Sequence, residues 1–143
     1  VKTFKRDPFF LTEIFSQKIT SGTEVRILIV DDEIDIREAI KRILSAKGYV
    51  VETAASSKAA LELLTQQKFH LILLDIKMPG MDGIELYDQL KDVAPDLQRR
   101  VICISGDLVS ARNRTFIDRN RLPYLVKPFG IKDLLEKVTS VLG

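Results

Sequence analysis

Short apolar runs alternate with segments of helical periodicity from Val25 onward, and this alternation constrains the fold more than any other feature of the chain. The runs are rich in Val, Ile and Leu without polar alternation, which is typical of strands buried on both faces of a parallel sheet. They are residues 25–30, 49–53, 71–74, 100–104 and 123–126. Strand–helix alternation at this spacing predicts a doubly wound α/β fold with right-handed crossovers. In such folds a ligand site lies at the carboxyl ends of the strands.

The intervals between the runs carry apolar residues three or four positions apart, the period of a helix with one buried face. The first helix is predicted to end at Gly48, and the second to begin with Ser56 or Ser57 as its N-cap. The third is predicted to stop before Pro95, and the fourth, residues 108–118, is less regular because several arginines interrupt it.

Residues 1–24 do not belong to the alternation, so we expect an N-terminal extension followed by one domain at residues 25–143. Asp7 and Pro8 are suited to cap and open a helix at residues 8–20. Its face is too apolar to stay in water, which predicts a contact with a partner or second copy, an upstream module, or its own domain. The phenylalanines of this segment are Phe9, Phe10 and Phe15.

Composition narrows the classes of protein to consider. The chain has 143 residues, and its 22 basic and 20 acidic residues leave a net charge of only +2. This small charge gives no overall electrostatic attraction to nucleic acid or to a membrane surface. No apolar run approaches the roughly 18 residues of a membrane span. No secretory signal pattern opens the sequence, and its first residue, Val, fits a piece of a longer protein. The one cysteine, Cys103, lies in an apolar run, which predicts a buried, inert thiol and a cytoplasmic location.

Polar side chains follow four of the five predicted strands. Asp31 and Asp32 follow the first, Asp75 the third, Ser105 the fourth and Lys127 the fifth. Three carboxylates at one edge repel each other unless a cation joins them, and Mg²⁺ prefers such oxygen ligands. Asp32 and Asp75 are the expected ligands, with Asp31 holding a bound water or orienting the ion. Because a Pro/Gly loop follows Asp75, we expect it to be the most accessible of the three.

This set of side chains is suited to phosphoryl chemistry. An ionised carboxylate such as Asp75 can attack phosphorus and become an aspartyl phosphate. Lys127 can pair with a phosphoryl oxygen or, at rest, with Asp75, and the Ser105 hydroxyl can donate to another phosphoryl oxygen. Each residue alone is more often a helix cap, a turn former or a solvated loop residue. Their coincidence at successive strand ends favours the functional interpretation.

Four motifs in this order resemble the receiver domain of two-component response regulators and hybrid sensor histidine kinases. They are Val30-Asp31-Asp32-Glu33, the stretch from Leu74 to Gly83, Ile104-Ser105-Gly106 and Val126-Lys127-Pro128-Phe129. The resemblance covers residues 25–143. It implies a flavodoxin-like (βα)5 fold with strand order 2-1-3-4-5, and a signalling domain rather than an enzyme.

By this resemblance Asp75 is the phosphoacceptor, charged from a phosphohistidine on a sensor kinase or phosphotransfer domain. Asp31 and Asp32 form the acidic pocket for Mg²⁺ with Asp75, and the backbone carbonyl of Lys77 is a further ligand. Self-phosphotransfer and slow self-dephosphorylation would be its only reactions.

The resemblance also implies a conformational switch. Ser105 would move toward the phosphoryl group, and Tyr124 would swing inward to fill the vacated space. The bond between Lys127 and Pro128 would be cis. The face formed by the fourth helix, fifth strand and fifth helix would signal to an output partner, and four arginines make one end of it basic. They are Arg112, Arg114, Arg119 and Arg121.

Three other functions fit the sequence less well. A haloacid-dehalogenase-type phosphatase needs a second Asp two residues after the nucleophile, but position 77 is Lys. A flavin-binding module needs a Ser/Thr/Gly phosphate loop after the first strand, where Asp31-Asp32-Glu33 would repel a phosphate. A receiver-like scaffold that is never phosphorylated would have no need for mutually repelling carboxylates. No DNA-binding helix-turn-helix is evident.

Overall fold

Strands and helices alternate along the whole described chain. The computed structural model describes residues 24–76, 83–106 and 110–143. Its elements are β1 (Arg26–Val30), α1 (Ile34–Ala46), β2 (Val50–Ala54), α2 (Ser57–Gln66), β3 (Leu71–Asp75), α3 (Gly83–Val93), a 3₁₀ turn (Leu97–Arg99), β4 (Val101–Ser105), α4 (Ala111–Asn120), β5 (Tyr124–Val126) and α5 (Ile131–Leu142). All strand pairs are parallel, and the order is β2-β1-β3-β4-β5. The predicted flavodoxin-like fold is confirmed.

The sheet divides the hydrophobic core into two layers. Successive side chains of a strand point to opposite faces, so Leu28 and Val30 join one layer while Ile27 and Ile29 join the other. Helices α2, α3 and α4 cover the first layer, and α1 and α5 cover the second. Both faces of the central strands are therefore buried, which is why their sequences read as continuous apolar runs.

Local capping sets the helix boundaries. The Ser56 hydroxyl accepts a hydrogen bond from the Ala59 N–H at 3.1 Å, so Ser56 is the N-cap of α2. Gly48 follows α1 with a φ of 95°, a conformation that favours glycine. The fourth helix begins at Ala111, later than predicted, because Ser110 caps it by accepting from a backbone N–H at 3.3 Å.

Some predictions from the sequence are settled by the fold and others lie outside it. Cys103 is buried on β4, as predicted, and burial raises the pKa of its thiol to about 12, which disfavours the reactive thiolate. In the described ranges no helix is long and apolar enough to cross a membrane. Residues 1–23 lie outside the described residues, so the helix at residues 8–20 and the boundary between residues 24 and 25 stay predictions.

We expect Leu73→Ala to lower the free energy of unfolding by about 2–5 kcal/mol, because Leu73 is fully buried in the central strand between Ile29 and Ile102. Urea denaturation followed by circular dichroism measures the change. Ile131→Ala is the control, since Ile131 is 58% exposed and should change stability by only about 0.5 kcal/mol. Equal midpoints for the two variants would contradict this account of the core.

Candidate acidic site at the carboxyl edge of the sheet

The predicted carboxylates converge at one edge of the sheet. Val30 of β1 pairs with Leu74 of β3, so Asp31, directly after β1, and Asp75, the last residue of β3, lie at the same level of the sheet. One oxygen from each of Asp31, Asp32 and Asp75 lies within 4.8 Å of the others. Among the residues that the structure describes, this is the only such group of potential metal ligands.

The accessibility predicted for Asp75 is wrong. Its exposed fraction is 3%, that of Asp31 is 0%, and only Asp32 is exposed. The reason is position: β3 is flanked by β1 and β4, so the end of β3 lies at the centre of the edge, not at its rim. Asp32 lies two residues beyond the end of β1 and is exposed.

Lys127 is the cation of the site, but Asp75 is not its nearest partner. Its Nζ lies 2.8 Å from Oδ2 of Asp31, 2.7 Å from Oε1 of Glu33 and 3.3 Å from Oδ2 of Asp75. The predicted pairing with Asp75 is therefore present but is the longest of three. Glu33 was missed as a site residue, because its position after two other acids gave no sign that its side chain would reach a lysine 94 residues away.

The charge on Lys127 depends on these carboxylates. Burial alone would lower the pKa of the Lys127 ammonium, but hydrogen bonds to Asp31 and Glu33 and the charge of Asp75 outweigh it, so the pKa is raised. A raised lysine pKa contributes stability that is fully present below the unfolded pKa of about 10.4 and is lost as pH rises through the folded value. The pairing is therefore intact throughout the neutral range.

Two hydrogen bonds hold Asp31 in place. Its Oδ1 accepts a hydrogen bond from the Glu33 N–H at 2.8 Å, and the Arg37 guanidinium donates to its carbonyl oxygen at 2.9 Å. Its Oδ2 is buried, and its partner among the described residues is the Lys127 ammonium at 2.8 Å. Because each carboxylate oxygen has two lone pairs, Oδ2 can accept one further partner besides Lys127.

The donor set fits Mg²⁺. This ion takes hard oxygen ligands at about 2.0–2.1 Å, so opposite ligands of one ion lie about 4 Å apart, close to the spread of the three carboxylates. The remaining lone pair of Asp31 Oδ2 and the exposure of Asp32 are compatible with an ion that keeps several of its waters. Lys77, whose carbonyl was predicted as a further ligand, lies outside the described residues.

The structure also places the hydroxyl and aromatic residues of the predicted switch. Ser105 ends β4, is buried, and its carbonyl accepts a hydrogen bond from the Lys127 N–H at 2.9 Å. Tyr124 begins β5 and is 38% exposed, and Nζ of Lys137 lies 6.0 Å from the centre of its ring. The bond between Lys127 and Pro128 is cis, as predicted. Ser105 thus lies at the end of the strand next to Asp75, whereas Tyr124 lies at the exposed start of β5.

Gly83 is a second residue that the sequence did not single out. A Cβ on this first residue of α3 would lie 2.3 Å from the Asp75 carbonyl oxygen and 2.6 Å from Cα of Ile76. Since these are backbone atoms, they cannot yield as a flexible side chain would. Gly83 therefore lets α3 begin directly against the backbone of Asp75.

The predicted signalling face is exposed and partly basic. Tyr124 and Val126 of β5 are both exposed while Leu125 between them is buried. Four arginines lie exposed on α4 or directly after it. They are Arg112, Arg114, Arg119 and Arg121.

Comparison with known proteins agrees with the fold. Residues 27–139 match the family described as response regulator receiver domain. Response regulator MprA of Mycolicibacterium vanbaalenii is 38% identical over 118 residues, which are 82% of this chain and 50% of that protein. A CheY-like receiver domain protein from Methanospirillum hungatei is 36% identical with a TM-score of 0.76, covering 84% of this chain and 94% of that one. Response regulator TrrA of Thermotoga maritima, solved with Mg²⁺ and BeF, is 32% identical with a TM-score of 0.70, covering 82% and 98%.

The chain belongs to the response regulator receiver domain family. Receiver domains of this family are signalling domains, and the described fold is the one that the motifs predicted. The chain spans about half the length of the curated relatives it matches.

We expect Gly83→Ala to destabilise the protein by about 1–3 kcal/mol and to weaken Mg²⁺ binding, because the added methyl group must push α3 away from Asp75. Thermal unfolding and magnesium titration measure the two effects. The matched control is Gly130→Ala, since a Cβ at Gly130 meets nothing within 4 Å. Unchanged magnesium affinity in Gly83→Ala would show that this close contact does not position the site.

We expect Lys127→Met to lower the free energy of unfolding by about 1–3 kcal/mol in the absence of Mg²⁺, because it leaves the Asp31 and Asp75 carboxylates without their cation. Mg²⁺ should raise the melting temperature of this variant more than that of the wild type, since the lysine no longer competes for the same oxygens. Differential scanning calorimetry with and without Mg²⁺ tests both statements. Lys132→Met, on the exposed start of α5, should behave as the wild type does. A smaller magnesium effect in Lys127→Met would rule out competition.

Proposed function

We propose that Asp75 accepts a phosphoryl group from a phosphohistidine of a sensor histidine kinase or phosphotransfer domain. The observation that carries the proposal is the arrangement of Asp75 between two further carboxylates and one lysine at the carboxyl edge of the sheet. In the transfer, a carboxylate oxygen of Asp75 forms a bond to phosphorus as the phosphorus–nitrogen bond breaks. The imidazole leaves with the electron pair of that bond and takes up a proton.

Mg²⁺ is the proposed cofactor, held by Asp31, Asp32, Asp75 and the backbone carbonyl of Lys77. When bound, it neutralises negative charge on the transferring group. The acceptor capacity at Asp31 Oδ2 and the 4.8 Å spread of the carboxylates support this assignment. The relative TrrA, whose solved complex holds Mg²⁺ and BeF, supports it as well.

Lys127 and Ser105 are the proposed contacts to the phosphoryl oxygens. The Lys127 ammonium already lies 3.3 Å from Asp75, so a phosphoryl group on that residue would come within its reach. Its present contact with Glu33 is exposed on the glutamate side and is therefore weak enough to exchange for a dianionic group. Ser105 is buried at the end of the neighbouring strand, on the other side of Asp75 from β1.

Ser105 and Tyr124 are the proposed switch pair. Moving an equilibrium between two conformers from 1:99 to 99:1 requires about 5.5 kcal/mol of preferential stabilisation. A phosphoryl group held by Mg²⁺, Lys127 and Ser105 is able to supply a good part of that. The exposed ring of Tyr124 on β5 has room to change position, so the face of α4, β5 and α5 would carry the signal to an output partner.

The resemblance to receiver domains also supports proposals about the reactions and the partners of the chain. The chain would act as a signalling domain whose only chemistry is self-phosphotransfer and slow self-dephosphorylation. Its balanced charge gives no reason to expect direct binding to nucleic acid. The contact expected of residues 8–20, with a second copy in a dimer or with other parts of the chain, lies outside the described residues and stays a prediction.

We expect Asp75→Asn to abolish labelling by a small phosphodonor, and the response to beryllofluoride with Mg²⁺, because an amide is not a phosphoryl acceptor. Intact-protein mass spectrometry detects the label, and circular dichroism shows whether the fold survives. The control is Asp88→Asn, which removes an exposed carboxylate on α3 and should label as the wild type does. Persistent labelling of Asp75→Asn at a different residue would overturn the assignment.

A further inference from the structure

A cavity lies at the edge of the sheet opposite to the acidic site. It has a volume of about 380 Å³ and opens between the end of α2, the loop before β3 and the end of α3. This volume is within the range of about 300–1,000 Å³ that is usual for pockets that bind small ligands. Its apolar lining consists of Leu64, Phe69, Val93, Ala94, Pro95 and Leu97.

The exposure of Val93 gives this cavity an apolar rim. It is 39% exposed, although it is a large aliphatic residue at the end of a helix that is otherwise amphipathic. The other large exposed hydrophobic residues of the described chain lie on β5 or at the starts of α1 and α5. The apolar surface around Val93 is therefore separate from the signalling face and from the acidic site.

The N-terminal part of the chain enters the domain next to this cavity. Glu24 is the first described residue, and Arg26 begins β1 two positions later. The Arg26 guanidinium donates a hydrogen bond to Oε1 of Gln67 at 2.9 Å, and Gln67 lines the cavity. The Arg26 N–H also donates to Nδ1 of His70 at 3.0 Å, which fixes the start of β1 against the same loop.

The segment that precedes this point has the chemistry to fill the cavity. Residues 8–20 combine Phe9, Phe10 and Phe15 with Leu and Ile residues at helical spacing. Such a face needs cover from water. Only residues 21–23 separate it from Glu24, so the four steps from residue 20 to Glu24, at about 3.3–3.6 Å each, span at most about 14 Å. The segment is thus tethered close to the mouth of the cavity.

We propose that residues 8–20 dock in cis on the cavity beside Val93, so that the leading segment covers the edge of the sheet opposite to the acidic site. A short tether gives the attached segment an effective concentration of about millimolar, which favours it over a second copy at the concentrations at which proteins are usually handled. The proposal is independent of phosphorylation, so its failure would leave the proposed function unchanged.

The absence of tryptophan from the sequence allows a direct test in the full chain. Phe15→Trp introduces a single indole on the apolar face of the segment. We expect its emission to be that of a buried indole, with weak quenching by acrylamide, and to be the same across a wide range of protein concentration. Adding Val93→Lys should shift the emission to longer wavelength and increase quenching, because a lysine at the cavity mouth cannot be buried against the phenylalanines.

Two further variants make the result decisive. Pro95→Lys, at another point of the cavity lining, should have the same effect as Val93→Lys. Val126→Lys is the matched control, since Val126 is 45% exposed on β5, outside the cavity, and should leave the emission unchanged. Circular dichroism confirms that each variant is folded. An exposed indole in the parent, burial that is insensitive to both cavity variants, or burial that is lost on dilution would each overturn docking in cis. The last result would identify a second copy as the occupant.

Discussion

Carboxylates buried at the carboxyl edge of a parallel sheet require a cation, and Lys127 supplies it. Asp31 and Asp75 follow adjacent strands and are almost completely buried, so their charges are poorly solvated by water. The ammonium of Lys127 lies within 3.3 Å of both and of Glu33 as well. The single charge of Lys127 is therefore divided among three carboxylates, and no one of these ion pairs receives all of it. A site balanced in this way can exchange partners, which is what binding of Mg²⁺ and arrival of a phosphoryl group would both require.

The rest of the fold keeps these charged groups in register. Side chains of the central strands fill both core layers, so the strands cannot slide without exposing apolar surface. Because Asp75 pairs with Ile104 and Ser105 with Val126, the ends of β3, β4 and β5 are fixed relative to one another. Gly83 lets α3 start against the backbone of Asp75. The precision of the site is a consequence of packing in the sheet beneath it.

Particular residues show how far the sequence predicts this arrangement. The strands were predicted to within a residue or two, because continuous Val, Ile and Leu runs have few alternatives in a chain with helical segments between them. The convergence of Asp31, Asp32 and Asp75 also followed, since parallel strands place their carboxyl ends at one edge. The accessibility of Asp75 was wrong, because a neighbouring flexible loop in the sequence does not reveal that the strand before it lies at the centre of the sheet.

The sequence by itself determined the order of strands and helices, the edge at which the polar residues gather and the kind of chemistry they suit. These follow from local periodicity and from the geometry that all parallel sheets share. Only the tertiary structure decided that Lys127 contacts Asp31 and Glu33 more closely than Asp75, and that Gly83 must lack a side chain. Those outcomes depend on distances between groups that only the packed fold brings together, and no local pattern in the sequence encodes such distances.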